Sequence, residues 1–296
     1  MGIGEALALA SAATWAVGVI LARQLGTQLP PLALNLLKNE LVLSVLAPIA
    51  LFVHAGAWPQ LSTADVLVVL LSGVLGIAIA DTLYFRALNE LGAGRMGIIG
   101  NLYSPLVLLM GYVWLQERLG AQQWLGFGLV ALGVLLVTRP STHRDQRPAH
   151  TVRGVLIGMT AIALMAVAVV MVKHVLEQQP LLWVTLLRLC GAVAGLVLMA
   201  WHPAMRRWVA FSPRNVAWPR LLAAALVGQG LSMLCWLGGY KYTSASVAAV
   251  LNDSASVFLV VLAAVWLREP LGRRGIVGVV LTFSGIACML LGRPSL

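Results

Sequence analysis

The sequence predicts an all-α integral membrane protein of ten transmembrane helices, built as two inverted five-helix repeats. Three observations predict it. The 296 residues are 60% hydrophobic and only 10% charged, against roughly 25% charged residues in ordinary soluble domains. The apolar residues gather into runs of about 20, the length that a bilayer core requires. A Trp-Leu-x-Glu-x-Leu-Gly stretch occurs twice, at an offset of 152 residues.

Apolar runs divide at turn-formers and charges. The predicted spans are 3–22, 33–53, 66–87, 96–115, 121–138, 153–173, 181–201, 219–240, 246–267 and 274–291. Leu29-Pro30-Pro31, Ala57-Trp58-Pro59, Thr138-Arg139-Pro140 and Phe211-Ser212-Pro213 mark breaks between them. The first run has no charged segment before it and is long enough to span, so it reads as a retained helix.

Lys and Arg orient the spans. Loops after odd-numbered spans carry 14 of the 20 cations and loops after even-numbered spans, with the C-terminus, carry 4. The positive-inside rule therefore puts odd loops in the cytoplasm and both termini outside, in a bacterial cytoplasmic (inner) membrane. The net charge of +10 is spread over these loops. It is not gathered into a basic stripe with aromatics, so nucleic acid is not an expected partner. Cys190, Cys235 and Cys288 each lie inside an apolar run and read as small hydrophobes. No CxxC, HExxH or Walker-type loop is present, so neither metal nor cofactor is expected.

The duplication sets the domain organisation. Trp114-Leu115-Gln116-Glu117-Arg118-Leu119-Gly120 matches Trp266-Leu267-Arg268-Glu269-Pro270-Leu271-Gly272 at five of seven positions. At the same offset Gly126 meets Gly278 and Gly133 meets Gly285; at an offset of 150, Gly4 meets Gly154 and Leu36-Leu37-Lys38 meets Leu186-Leu187-Arg188. The units are 1–138 and 153–296, joined by a linker at 139–152. Five spans per unit is an odd number, so the second unit enters the membrane in the opposite sense. Inverted repeats of this kind recur in secondary transporters.

Charged groups at membrane depth are expensive and usually face a cavity or a partner. The first unit carries Lys38, Asn39 and Glu40 in span 2, Asp81, Thr82 and Tyr84 in span 3, and Asn101, Tyr103 and Ser104 in span 4. These lie toward the odd-loop face. The second unit carries Arg188 in span 7, Gln229, Ser232 and Trp236 in span 8, and Asn252, Asp253, Ser254 and Ser256 in span 9, toward the opposite face. Two clusters at two depths suit two gates. Lys38 is expected to neutralise Asp81 or Glu40, and Arg188 to neutralise Asp253. These pairs are candidate gates, or static contacts of snorkelling cations.

In span 1, Ser11, Thr14, Trp15 and Gly18 share one helix face. Trp15 sits mid-span, away from the interfacial belt. It either lines a solute cavity with Tyr84, Tyr103 and Trp236 or packs against a neighbouring helix. Pro105 inside span 4 is expected to kink it; its counterpart is Val257, so the kink is expected on one side only. Glu117 and Glu269 read as structural groups at span ends.

These features make the sequence resemble a ten-span EamA-type member of the drug/metabolite transporter superfamily. The resemblance covers almost the whole chain. It rests on the twin WLxExLG stretches, on Tyr84-Phe85-Arg86-Ala87-Leu88, on Pro105, and on the cation early in spans 2 and 7. It implies two inverted five-helix halves around a central cavity and alternating access, usually for efflux of amino acids, other metabolites or drugs. Helices 1, 3 and 4 and their partners 6, 8 and 9 would line the path, which makes Trp15, Tyr84, Asn101, Tyr103, Gln229, Trp236 and Asn252 candidate cavity residues. Lys38, Asp81, Arg188 and Asp253 are the candidate gating charges. The embedded first-helix Glu of small multidrug exporters is missing; Ala13, Thr14 and Trp15 occupy that depth.

The expected function is a secondary active transporter exporting small metabolites such as amino acids, with protons a candidate coupling ion. A lipid-linked sugar or lipid translocator and a drug exporter are alternatives within transport. A membrane scaffold or receptor is the alternative outside it. No catalytic motif points to an enzyme.

Overall fold

The computed structural model describes residues 2–25, 28–55, 58–91, 96, 99–138, 151–203, 205, 209–210, 214, 216–266 and 273–291. Most of the linker, the break at Phe211-Ser212-Pro213 and the second motif copy from Leu267 to Gly272 lie outside the described residues.

The described elements are helices. The first repeat contains α1 (Ile3–Leu25), α2 (Pro31–Val53), α3 (Thr63–Gly73), a π-helical segment (Val74–Ile79), α4 (Ala80–Leu91), α5 (Tyr103–Trp114) and α6 (Ala121–Thr138). The second contains α7 (Thr151–Gln178), α8 (Leu181–Trp201), α9 (Trp218–Ala223), a second π-helical segment (Ala224–Leu231), α10 (Ser232–Tyr242), α11 (Ala245–Asp253), α12 (Ala255–Trp266) and α13 (Arg273–Leu291). Seven described helical stretches are long and apolar enough to cross a membrane, and three shorter apolar helices begin at Tyr103, Ala121 and Ala245. The short ones correspond to predicted spans 4, 5 and 9. The chain is an integral membrane protein of all-helical architecture.

The π-segments start at Val74 and Ala224, residues 150 apart. Each interrupts a long helix, so spans 3 and 8 run as α–π–α through Thr63–Leu91 and Trp218–Tyr242. A π-turn widens the helix by one residue and marks a place where the backbone ladder is already altered. Apart from Gln229, the sequences Val-Leu-Gly-Ile-Ala-Ile and Ala-Ala-Leu-Val-Gly-Gln-Gly-Leu are apolar, and nothing in them distinguishes a π-segment from ordinary helix.

Spans 4 and 9 are also interrupted at matching places. A turn at Asn101 and Leu102 precedes α5, and Ser254 separates α11 from α12. The expected one-sided kink at Pro105 is therefore corrected. Pro105 falls in the first turn of α5, where the missing N–H would have no intrahelical partner anyway. The break in span 9 needs no proline: the Ser254 hydroxyl donates to the Leu251 carbonyl at 2.6 Å and competes with the backbone ladder.

Packing relates the repeats. α1 packs on the second π-segment and α10, while α7 packs on α4 and the first π-segment. α2 packs on the second π-segment and α8 on the first. Each unit thus lays its first two spans against the third span of the other. Small residues set the distances, as in other membrane bundles. A methyl added at Gly18 would collide with the Gly228 Cα. In α6 and α13, a methyl at Gly126 would stand 2.8 Å from the Gly285 oxygen, and one at Gly133 would stand 2.6 Å from that of Gly278. The four repeated glycines therefore face one another across the repeat axis.

Candidate functional site

Lys38 and Arg188 are each seven residues into their helices, counted from Pro31 and Leu181. At 1.5 Å per residue they lie about 10 Å from opposite ends of the bundle. Both are buried, and each reaches across to the third span of the other repeat. The Lys38 ammonium donates to Gln229 Oε1 at 3.1 Å, inside the second π-segment, and stands 4.8 Å from the Phe85 ring. The Arg188 guanidinium donates to Ser72 Oγ and the Ala168 carbonyl, both at 3.2 Å. It packs so closely on the first π-segment that a methyl at Gly76 would come within 2.7 Å of Nη2.

The odd-side cluster grows from Lys38. Gln229 donates to Asn39 at 3.1 Å, Asn39 to the Asn35 side chain at 2.9 Å, and Asn35 to the Ile77 carbonyl at 2.9 Å and to Thr82 at 3.2 Å. Asp81, next to Thr82, lies within the electrostatic reach of both Lys38 and Arg188. Neither cation forms an ion pair with it within 4 Å.

The even-side cluster surrounds Arg188. Its guanidinium sits 5.3 Å from the Trp236 ring. Trp236 meets the Tyr240 ring edge-on at 5.2 Å, and the Tyr240 and Tyr103 hydroxyls are 2.8 Å apart. Ser104 donates to the Asp253 carboxylate. Arg188 Nε and Asn252 Nδ2 are buried with no partner in the described structure.

These contacts differ from the pairing read off the sequence. Ion pairs within 4 Å among the described residues are Arg86–Glu90 at 3.0 Å and Lys173–Glu177 at 2.5 Å. Asp253 is held by Ser104, and the acid whose field reaches Arg188 is Asp81. Lys38 is tied to Gln229, with Asp81 close enough to act on it but not in contact. Helical rotation decides these partners, and span order alone does not carry it.

The aromatic candidates divide only in part, since Tyr84 and Tyr103 border the same apolar core. Tyr103 and Trp236 meet in the even-side cluster; Tyr103 and Ser104, expected toward the odd-loop face, join it, while Gln229, expected toward the opposite face, joins the odd-side cluster. Tyr84 packs on the odd side with Leu88 and Met96 and meets Phe85 edge-on at 5.9 Å. Trp15 is 36% exposed, and no described ring pair includes it. Its helix face does pack against span 8, through Gly18 and through the Ser11 carbonyl, which accepts from Ser232 at 3.3 Å. Asn101 sits at the turn before α5.

A cavity of about 570 Å³ opens at the even-loop face, between the ends of α5, α7 and α10. Two lysines in its wall cap each other's helices. Lys173 of α7 donates to the carbonyls of Tyr240 and Thr243 at 2.5 and 2.9 Å. Lys241 of α10 donates to those of Leu176, Glu177 and Gln179 at 2.6, 3.0 and 2.7 Å. Cations suit these positions because helix C-termini leave carbonyls unpaired.

Glu117, in the same wall, belongs to the first WLxExLG copy. Gln116 adopts a left-handed φ of 57° and turns the chain after α5, so that Glu117 reaches the start of α11. Its carboxylate accepts from Ala245 N, Ser246 N and Ser246 Oγ at 2.6, 2.9 and 2.7 Å. The motif glutamate of one repeat therefore caps a helix of the other. None of the cavity residues named from the sequence lines this opening. Lys173 in its wall holds the backbone of Tyr240, whose hydroxyl meets that of Tyr103.

Asn35, Ser72 and Tyr240 are the members of the clusters that sequence reasoning missed. Asn35 carried a signal: it precedes Asn39 by one helical turn.

The sequence profile of the EamA-like transporter family matches residues 2–139 and again 152–291. The chain belongs to the EamA-like transporter family. Its relatives include an uncharacterized transporter of Methanothermobacter thermautotrophicus, 23% identical over 73% of this chain and 62% of that protein; the chain spans under two-thirds of that relative's length. The uncharacterized transporter YetK of Bacillus subtilis is 21% identical over 98% of this chain and 86% of that protein. An uncharacterized transporter encoded in the cobO 3′ region of a Sinorhizobium species is 30% identical over 44% of this chain and 92% of that protein. A solved crystal structure superposes with a TM-score of 0.79 at 18% identity, covering 98% of this chain and 97% of that one. That likeness speaks for the fold alone.

Proposed function

We propose that this EamA-family protein is a secondary active transporter that exports small metabolites, amino acids among them, by alternating access, and that it is not an enzyme. The observation that carries the proposal is the pair of cross-repeat clusters. Lys38 and Arg188 occupy equivalent places at opposite depths and each engages the other repeat's third span. Two such clusters supply two gates for one solute between them.

In this reading the solute meets Tyr103, Trp236 and Asn252 on one side and Tyr84, Asn101 and Gln229 on the other, with Trp15 at the edge of the path. The unpartnered Arg188 Nε and Asn252 Nδ2 are donors suited to an oxygen-bearing solute such as a carboxylate. The Tyr103–Tyr240 pair divides the even-face cavity from that site. Lys38, Asp81, Arg188 and Asp253 form the gating set, with Asp81 exchanging between the two cations. Protons are the proposed coupling ion. The protein lies in a bacterial inner membrane with odd-numbered loops in the cytoplasm and both termini outside. The units at 1–138 and 153–296 act as the two halves, joined at 139–152.

The test is uptake into proteoliposomes of a panel of amino acids, sugars and cationic dyes, with and without an imposed pH gradient. Saturable, gradient-driven flux of an amino acid is expected. Flux of no compound under any gradient refutes the proposal.

A further inference from the structure

One unbroken chain of side-chain hydrogen bonds joins the two π-segments. Lys38 donates to Gln229, Gln229 to Asn39, Asn39 to Asn35, and Asn35 to the Ile77 carbonyl and the Thr82 hydroxyl. Gln229 lies inside Ala224–Leu231 and Ile77 inside Val74–Ile79. Each amide accepts from the group before it through its oxygen and donates onward through its nitrogen. Three of its members, Asn35, Lys38 and Asn39, come from α2. Asn35 and Asn39 are fully buried, so neither offers a surface to solute or lipid.

Two buried amides are costly unless bonded, and a leucine at either place would suit the bundle interior without that cost. The relay therefore needs a role other than packing. A π-turn is one residue away from regular α-helix, and losing or moving it rotates the chain beyond it by about 100°. Such a shift in span 8 would swing Gln229 away from Asn39. A shift in span 3 would move Ile77 and Thr82 away from Asn35. Either shift alone leaves buried polar groups unpaired, and a concerted shift lets the relay re-form.

We propose that Asn35 and Asn39 are positioning residues that couple the two π-segments, so that spans 3 and 8 change conformation together. The inference rests on the alternating-access reading and adds a device for keeping its two gates in step.

The test uses accessibility rather than flux. In a background with Cys190, Cys235 and Cys288 replaced by serine, Gln28→Cys and Ala217→Cys are joined by a short bifunctional thiol reagent. These positions touch at the odd-loop end, where Ala217 N donates to Gln28 at 3.0 Å. Thr243→Cys, after α10 at the opposite end, reports through its rate of modification by a membrane-impermeant maleimide.

Holding the odd face shut is expected to raise that rate several-fold in the parent. With Asn39→Leu the cross-link should leave the rate unchanged. Gln229→Met, which cuts the relay from span 8 and leaves α2 intact, should behave alike and serves where Asn39→Leu does not fold. A rise equal to the parent's in a folded, monodisperse variant overturns the relay, even when its melting temperature has fallen. A parent that ignores the cross-link overturns the alternating-access reading and the relay together.

Discussion

Glu117→Ala removes three hydrogen bonds that one carboxylate makes to the first turn of α11, at 2.6, 2.9 and 2.7 Å. A bond to a charged group contributes about 1.5–3 kcal/mol net, and loss of a helix N-cap costs about 1 kcal/mol. Glu117 is half-buried in the wall of an open cavity, so water replaces part of what is lost. The loss should then total about 2–4 kcal/mol, below the sum of three charged bonds. At 2–4 °C per kcal/mol for a chain in this size class, the melting temperature should fall by roughly 4–16 °C. Glu117→Gln keeps one oxygen for a donor and should recover about half of the fall. The assay is a thermal melt in detergent followed by thiol-reactive dye, since Cys235 is buried and Cys190 half-buried in the folded state. A Glu117→Ala protein melting within about 1 °C of the parent would refute the cap.

Gly126→Leu should destabilise the protein strongly by forcing α6 off the Gly285 backbone, while Gly128→Leu, with no atom within 4 Å of an added methyl, should melt like the parent. Lys173→Met and Lys241→Met each strip the carbonyl caps from a helix end and should each cost about 2–4 kcal/mol, read in the same melt. Arg188→Ala and Asp253→Ala should cut transport in proteoliposomes at least tenfold and change cysteine labelling from both sides; unchanged flux and labelling would remove them from the gating set.

The membrane class and the duplication were legible because both are written in composition and in one rigid motif. Lys38 and Arg188 were legible as repeat-related cations at membrane depth. Their partners were not. Whether Arg188 meets Asp253 or Ser72 depends on how α8 is rotated against α3, and a one-position turn of 100° decides it. The π-segments left no trace, since six apolar residues from Val74 to Ile79 fit either ladder. The proline in span 4 suggested one kink, yet the matching break in span 9 comes from the Ser254 hydroxyl. Asn35 was visible as a polar residue one turn before Asn39, but its partner Ile77 offers a backbone carbonyl, which no side-chain pattern announces.

If the two clusters are gates, one site between them opens to each side in turn. Asn252→Cys, half-buried at the end of α11, should be modified by an impermeant maleimide in both right-side-out and inside-out vesicles. Cross-linking Gln28→Cys to Ala217→Cys should abolish modification from the odd-loop side and raise it from the even-loop side. Modification from one side only, or from neither, would contradict the account.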